Sequence, residues 1–226
     1  MKLFLISVLL LFASHFAGAQ NQKLEIGLEG GPNVANVYSN PPSDKGGDLY
    51  NYSIGIASQY NLSDRFSIRA SFDYEKKGFE QVFGFVGNVN NYPTPYSVLE
   101  PNYLNYIALP VMVKATFGNK IHYFFDAGLY VGYLLDATSY YPMSDSSGNF
   151  ERNVKHNDTS LYHRIDPGIC FGTGIGIPAG KNIIIELEGR ANFGAFDIQK
   201  QYMTGGNTPA LINQSASLLL NIRYKI

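Results

Sequence analysis

The sequence predicts an all-β protein, an eight-stranded antiparallel up-and-down transmembrane β-barrel. Three observations carry that prediction: eight segments alternate with period two, their charges fall on one face only, and their connections alternate between tight and long. Composition agrees, because 17 Tyr, 15 Phe and 23 Gly in 226 residues suit strands and turns better than helices. Charged residues make up 15% of the chain and the net charge is -1, which excludes a nucleic-acid binder that relies on a basic footprint. No apolar run reaches the roughly 18 residues of a membrane-spanning helix, so a polytopic helical protein is excluded and a barrel is not.

The chain begins with Met1 and Lys2, an apolar run from Leu3 to Phe12, and the small residues Ala17-Gly18-Ala19. That is the layout of a secretory signal cleaved after Ala19, which divides the chain into a signal peptide at 1–19 and a barrel domain at 20–226. Cys170 is the lone cysteine, so neither an intramolecular disulfide nor a lipid anchor at the cleavage site is available.

Each alternating segment splits into an apolar and a polar face. In the first, Leu24, Ile26 and Leu28 oppose Glu25, Gly27 and Glu29; in the second, Tyr52, Ile54, Ile56, Tyr60 and Leu62 oppose Ser53, Gly55, Ala57, Gln59 and Asn61. The third sets Phe66, Ile68, Ala70, Phe72 and Tyr74 against Ser67, Arg69, Ser71, Asp73 and Glu75. The fourth sets Tyr103, Ile107, Leu109, Val111, Val113 and Phe117 against Tyr106, Ala108, Met112 and Lys114. In the fifth, Ile121 to Tyr133 at odd positions oppose His122, Asp126, Gly128 and Gly132. The sixth sets Ile165, Ile169, Phe171, Ile175 and Ile177 against Arg164, Asp166, Gly168, Gly172, Gly174 and Gly176. The seventh sets Ile183, Ile185, Leu187 and Phe193 against Glu186, Glu188, Arg190 and Asn192, and the eighth sets Ala216, Leu218, Leu220, Ile222 and Tyr224 against Ser217, Asn221, Arg223 and Lys225.

A soluble sandwich would also alternate, so the connections decide. Ser63 to Arg65, Gly118 to Lys120 and Pro178 to Asn182 are tight, whereas Tyr38 to Tyr50, Lys76 to Asn102, Asp136 to His163 and Ala195 to Asn213 are long, the pattern of short periplasmic turns and long outer loops. Apolar-face aromatics also sort to segment ends. Tyr52, Tyr74, Tyr103, Tyr133 and Phe193 lie on the loop side and Tyr60, Phe66, Phe117, Tyr123 and Tyr224 on the turn side, as two interfacial girdles.

Several stretches resemble the PorT-like outer-membrane β-barrel proteins of Bacteroidota-type envelopes. They are Gly27-Leu28-Glu29-Gly30-Gly31-Pro32-Asn33-Val34, Asp73-Tyr74-Glu75-Lys76-Lys77-Gly78, Tyr106-Ile107-Ala108-Leu109-Pro110-Val111, Ala127-Gly128-Leu129-Tyr130-Val131-Gly132-Tyr133-Leu134-Leu135, and the glycine-rich Phe171 to Gly176. The resemblance implies a small eight-stranded barrel in the outer membrane of a Gram-negative envelope. The namesake of the family is linked to protein secretion, and no motif here carries that role across. The chain departs from such barrels by ending in Ile226, where an aromatic is common.

Eight strands enclose a lumen just wide enough to be filled by side chains. The polar face places Glu25, Glu29, Asp73, Glu75, Asp126, Asp166, Glu186 and Glu188 there with Arg69, Lys114, Arg164, Arg190, Arg223 and Lys225. Buried charges are costly unless paired, so a structural ion-pair network is expected around Glu25, Arg69, Asp73, Glu75, Glu186, Glu188, Arg190 and Arg223. Glu25, Glu186 and Arg223 are expected to meet where the last strand closes the ring. The carboxylate pairs Asp73/Glu75 and Glu186/Glu188 are read as partners for Arg69, Arg190 and Arg223 in preference to acid–base catalysts. Gly172, Gly174 and Gly176 recur within a strand and open no helix, so they make room for lumen side chains instead of cradling phosphate. His156, Asp158 and His163 match no compact metal template, and His122 is expected to be a hydrogen-bonded structural histidine.

The reading is therefore a non-enzymatic outer-membrane barrel with exposed outer loops and no catalytic, cofactor or metal site. Its role is structural or adhesive, or assists an envelope or secretion complex. Its partners are outer-membrane lipid, the barrel-assembly machinery during insertion, and an envelope protein met through Asn/Tyr/Ser/Gly-rich loops such as Asn88 to Tyr96 and Ser139 to Asn149. The alternatives are a small enzyme acting on lipid or peptide through Ser160, His163 and Asp158, and a narrow pore or small-ligand carrier.

Overall fold

In an extended chain successive side chains point to opposite faces, so a segment that is apolar at every second residue is stable where one face meets hydrocarbon and the other a polar interior. The computed structural model, which describes residues 23–40, 45–89, 92–144, 150–200 and 210–226, has that arrangement. Among the described residues ten strands are present: β1 (Leu24–Asn40), β2 (Lys45–Gly47), β3 (Leu49–Asn61), β4 (Phe66–Val89), β5 (Tyr92–Phe117), β6 (His122–Ser144), β7 (Phe150–Asn157), β8 (Ile165–Ala179), β9 (Ile183–Gly194) and β10 (Ala210–Lys225). Eight of them form a closed antiparallel ring in the order β1-β3-β4-β5-β6-β8-β9-β10, with β10 pairing back to β1 from Glu25↔Lys225 to Asn40↔Ala210. The short β2 and β7 lie outside the ring, on β4 and β6.

The expected eight staves are thus the observed ones, and their faces have the expected sense. Leu28 (64% exposed), Phe72 (57%) and Leu129 (66%) stand outward, whereas Glu29, Asp73 and Tyr130 are buried. Ring closure satisfies the backbone groups that an open sheet edge would leave bare in hydrocarbon. The turn end holds three tight connections together with Lys23 and Ile226; Gly118 and Gly180 carry φ of 98° and 86°, which L side chains rarely adopt. There Asn61 N donates to Lys23 O at 2.7 Å and Ile226 N to Leu24 O at 2.9 Å, so Lys23 and Ile226 are tied into the ladder. Tyr60, Phe66, Phe117, Tyr123 and Tyr224 sit near this end, and Tyr52 packs against Tyr74 with tilted rings whose centroids are 6.0 Å apart near the other, as the two girdles require.

The opposite end departs from the sequence reading. Lys76 to Asn102, expected as a loop, is mostly paired backbone: β4 and β5 continue in register from Phe66↔Ala115 to Val89↔Tyr92. Asp136 to His163 likewise continues β6 to Ser144, returns as β7, and passes through a 3-10 turn at Thr159–Leu161. The reason is that two antiparallel strands can pair each other beyond the membrane, where no hydrocarbon imposes an apolar face and the period-two signal fades. The proposed signal at 1–19 lies outside the described residues.

Candidate functional site

The described chemistry is concentrated in the lumen, in three layers. At the turn end Arg223, from β10, donates Nε to Glu25 Oε2 on β1 at 3.0 Å and forks both terminal nitrogens onto Glu186 on β9 at 2.7 and 2.8 Å. Register makes this possible: Gly27 faces Arg223 and Glu186 faces Asn221, so the partners are diagonal neighbours on one face. Glu186 also accepts from Lys114 Nζ at 2.6 and 2.7 Å and lies 3.0 Å from His122 Nε2. Lys114 Nζ stands 3.7 Å over the Phe124 ring. A cavity of about 520 Å³ opens here, lined among others by Glu25, Gln59, Asn61, His122, Glu186 and Arg223.

The middle layer is drier. Arg69 donates to Glu29, Glu188 and Asn221, and Arg190 donates to Glu188 at 2.7 Å, Glu29 at 2.8 Å and Asp73 at 3.3 Å. Asp126 lies 3.8 Å from Arg69. Two guanidiniums thus hold four carboxylates across the barrel, and the planar fork of arginine suits that bridging. In the third layer Asn192 donates to Glu75 at 2.9 Å, while Lys77 Nζ lies 3.1 Å from Glu75, 3.8 Å from Asp166 and 4.6 Å from the Tyr130 ring centroid. Asn213 donates to Tyr106 Oη at 3.1 Å and to Asp166 at 2.9 Å.

Above these layers the hairpin end is sealed by an apolar cap. Val37, Phe79, Leu104, Tyr106, Leu134, Ala137 and Leu211 on the staves pack with Tyr162 and Ile198 from the connections. The connections are held by backbone bonds, Ile198 N to Leu211 O at 2.8 Å and His163 N to Ile198 O at 2.8 Å. Gly172, Gly174 and Gly176 show why the lumen packs densely: a Cβ would stand 2.0 Å from Asp126 Oδ1, 2.5 Å from Phe124 Cζ and 2.3 Å from His122 Nε2, respectively.

All eight residues expected in the network are buried and face the lumen. Glu25, Glu186 and Arg223 stand together as described, and Asp73 and Glu188 both meet Arg190. Among the described residues Glu75 meets no arginine; its partners are Asn192 and Lys77. Arg164 and Lys225 leave the lumen set: Arg164 is exposed and donates to Leu134 O and Leu135 O, and Lys225 is half-buried at the mouth. Lys77 and Glu100, both 1% exposed, were hidden by reading their segment as a loop. The signal for Lys77 was the continued alternation Asp73, Glu75, Lys77, Phe79.

His156 lies on β7, and Asp158, Ser160 and His163 lie on the segment over the cap, where Ser160 O accepts from Lys200 Nζ at 3.0 Å. Among the described residues no group of three or more His, Cys, Asp or Glu is placed to hold a metal ion.

Residues 18–199 match the family described as Outer membrane protein beta-barrel domain. No curated protein matches the chain. Among solved structures the chain is similar to Neisserial surface protein A, at 14% identity with a TM-score of 0.48, covering 90% of this chain and 97% of that one. It is also similar to Ail, the attachment invasion locus protein of Yersinia pestis, at 12% identity with a TM-score of 0.41, covering 89% and 99%. The outer membrane protease OmpT from Escherichia coli follows at 11% identity with a TM-score of 0.38, covering 90% and 96%.

Proposed function

This chain belongs to the outer membrane protein beta-barrel domain family and resides in the outer membrane, and from that premise we propose that it is a non-catalytic, PorT-like anchor whose hairpin end faces outward and docks another envelope protein. The observation that carries this reading is the overshoot of the staves. Crossing a bilayer takes about 9–11 residues per strand. β4 and β5 run 24 and 26 residues, so more than half of their paired length stands beyond the hydrocarbon.

The lumen supports an anchoring role. Its charges are consumed by one another and the apolar cap closes the end from which the hairpins project, so neither conduction nor carriage of a small ligand through the barrel is favoured. Order in the barrel wall instead fixes the hairpin bases rigidly in space, which lowers the entropy lost when a partner binds.

The test is photo-cross-linking in outer membranes, with a photoreactive residue at Leu99 on β5 or at Asp64 in a turn. A partner adduct at Leu99 that disappears when Phe83–Val98, beyond the Val82↔Leu99 pair, is replaced by a two-residue Asn-Gly turn is the expected result. Adducts confined to Asp64, or steady ion conductance by the purified protein, would overturn the proposal.

A further inference from the structure

The β4–β5 hairpin has two long edges beyond the barrel, and they differ chemically. Thr116 N donates to Arg65 O at 2.8 Å, so even-numbered β5 residues bond odd-numbered β4 residues, and register stays constant to Val89↔Tyr92. Odd-numbered β5 residues and even-numbered β4 residues therefore present N–H and C=O to the outer edges. Phe66 O agrees, since it accepts from Leu62 N on the far side at 2.9 Å.

On β5, pairing with β6 ends at Asn102↔Ser139, and above it the outer-edge positions are Pro101, Leu99, Ser97, Pro95 and Pro93. Three of these five have no N–H, which blunts that edge. On β4, pairing with β3 ends at Ser53↔Glu75, and β2 covers the edge only at Glu80 and Gln81. Val82, Gly84, Val86 and Asn88 follow, each with a complete N–H and C=O and without a strand partner among the described residues. No Asp, Glu, Lys or Arg occurs from Gln81 to Leu99, so charge guards neither edge. One edge is closed by proline and the other is left open.

We propose that the outer edge of β4 from Val82 to Val89 is a docking edge for one extended, uncharged peptide strand of a partner protein, added antiparallel to β4. The proposal rests on the outward docking role given above and names its contact. β2 sets the polarity, because it already lies antiparallel on this same edge and an added strand continues its row. The residues that precede β2 in the chain include Pro41 and Pro42, which bring no N–H to a ladder. The absence of charge in the host strand sets the partner chemistry, since a charged residue brought beside it would be desolvated with nothing to pair.

The probe is a fluorescein-labelled ten-residue Thr–Val peptide, N-methylated at every second residue so that it exposes a single hydrogen-bonding edge. Titrated against the full chain in detergent and read by anisotropy, it should bind the native protein. Gly84→Pro/Val86→Pro removes two outward N–H groups without touching the β4–β5 ladder and should weaken binding about tenfold or more. Ser97→Pro, on the blunted edge, should change it less than about twofold. In the native chain the amides of Val82, Gly84, Val86 and Asn88 should gain hydrogen-exchange protection on adding the peptide while those of Ser97 and Leu99 do not, a readout that needs no variant to fold. Absence of binding, equal loss in Ser97→Pro, or no protection on β4 overturns the proposal. A native dimer that Gly84→Pro/Val86→Pro dissolves would also overturn it, by assigning the edge to a second copy. If the Leu99 adduct above persists while the peptide arm fails, the docking role stands and this edge is wrong.

Discussion

Replacing Arg223 by Gln removes three charge-assisted hydrogen bonds, one to Glu25 and two to Glu186. Bonds to charged groups contribute about 1.5–3 kcal/mol each, but the partners are not left equal. Glu186 keeps Lys114 and His122, whereas Glu25 keeps only the amide of Asn61 at 2.9 Å among its described side-chain donors. The turn-end cavity admits water to both carboxylates, which lowers the penalty below that of a sealed pair. The expected loss is therefore about 2–4 kcal/mol, with coupling of about 2 kcal/mol to Glu186 through the bidentate fork and about 1 kcal/mol to Glu25. Arg69, fully buried between Glu29 and Glu188, should cost more when changed to Gln, about 3–5 kcal/mol. The assay is equilibrium urea unfolding in lipid vesicles, followed by heat-dependent gel migration, on the double-mutant cycles Glu25→Gln/Arg223→Gln and Glu186→Gln/Arg223→Gln. Couplings within about 0.3 kcal/mol of zero for both pairs, or a smaller loss for Arg69→Gln than for Arg223→Gln, would refute the reasoning.

Gly172→Ala should destabilise by about 1–3 kcal/mol because its Cβ meets only side-chain atoms of Asp126 and Glu188, and Asp126→Ala in the same chain should relieve most of that loss; strict additivity would count against the packing argument. A cysteine in place of exposed Ser160 should react with an impermeant maleimide on intact cells while one in place of Asp64 does not, and the reverse pattern would invert the orientation; native Cys170 is buried and serves as the unlabelled control. Planar bilayers containing the purified protein should show no steady conductance, since ion pairs and the apolar cap fill the lumen; long-lived open events would contradict that packing.

Which residues face hydrocarbon and which face the lumen was legible in the sequence, because the period of a strand is two and the barrel wall is one residue thick. Phe66 to Glu75 could be split by eye, and the split survives in the burial of Ser67, Arg69, Ser71, Asp73 and Glu75. The tight turns were equally plain, since they interrupt alternation for only a few residues. Where the staves stop was not legible at the other end: between Lys76 and Asn102 the chain leaves the bilayer, no apolar face is demanded, and continued pairing leaves no mark in hydropathy.

The sequence by itself determined the number of staves, their two faces and the rough sorting of charge into the lumen, because each depends on the strand's own period and on the solvent at each face. Which charges meet was decided by the ring. Stagger between β9, β10 and β1 sets Arg223 beside Glu25 and Glu186; across the lumen Glu75 on β4 meets Asn192 on β9 and, on its own strand, Lys77, while Arg164 turns out to the carbonyls of Leu134 and Leu135 on β6. Glu25 and Arg223 lie 198 positions apart in the chain, and only closure of the barrel, with its fixed shear between neighbouring strands, brings them to one level.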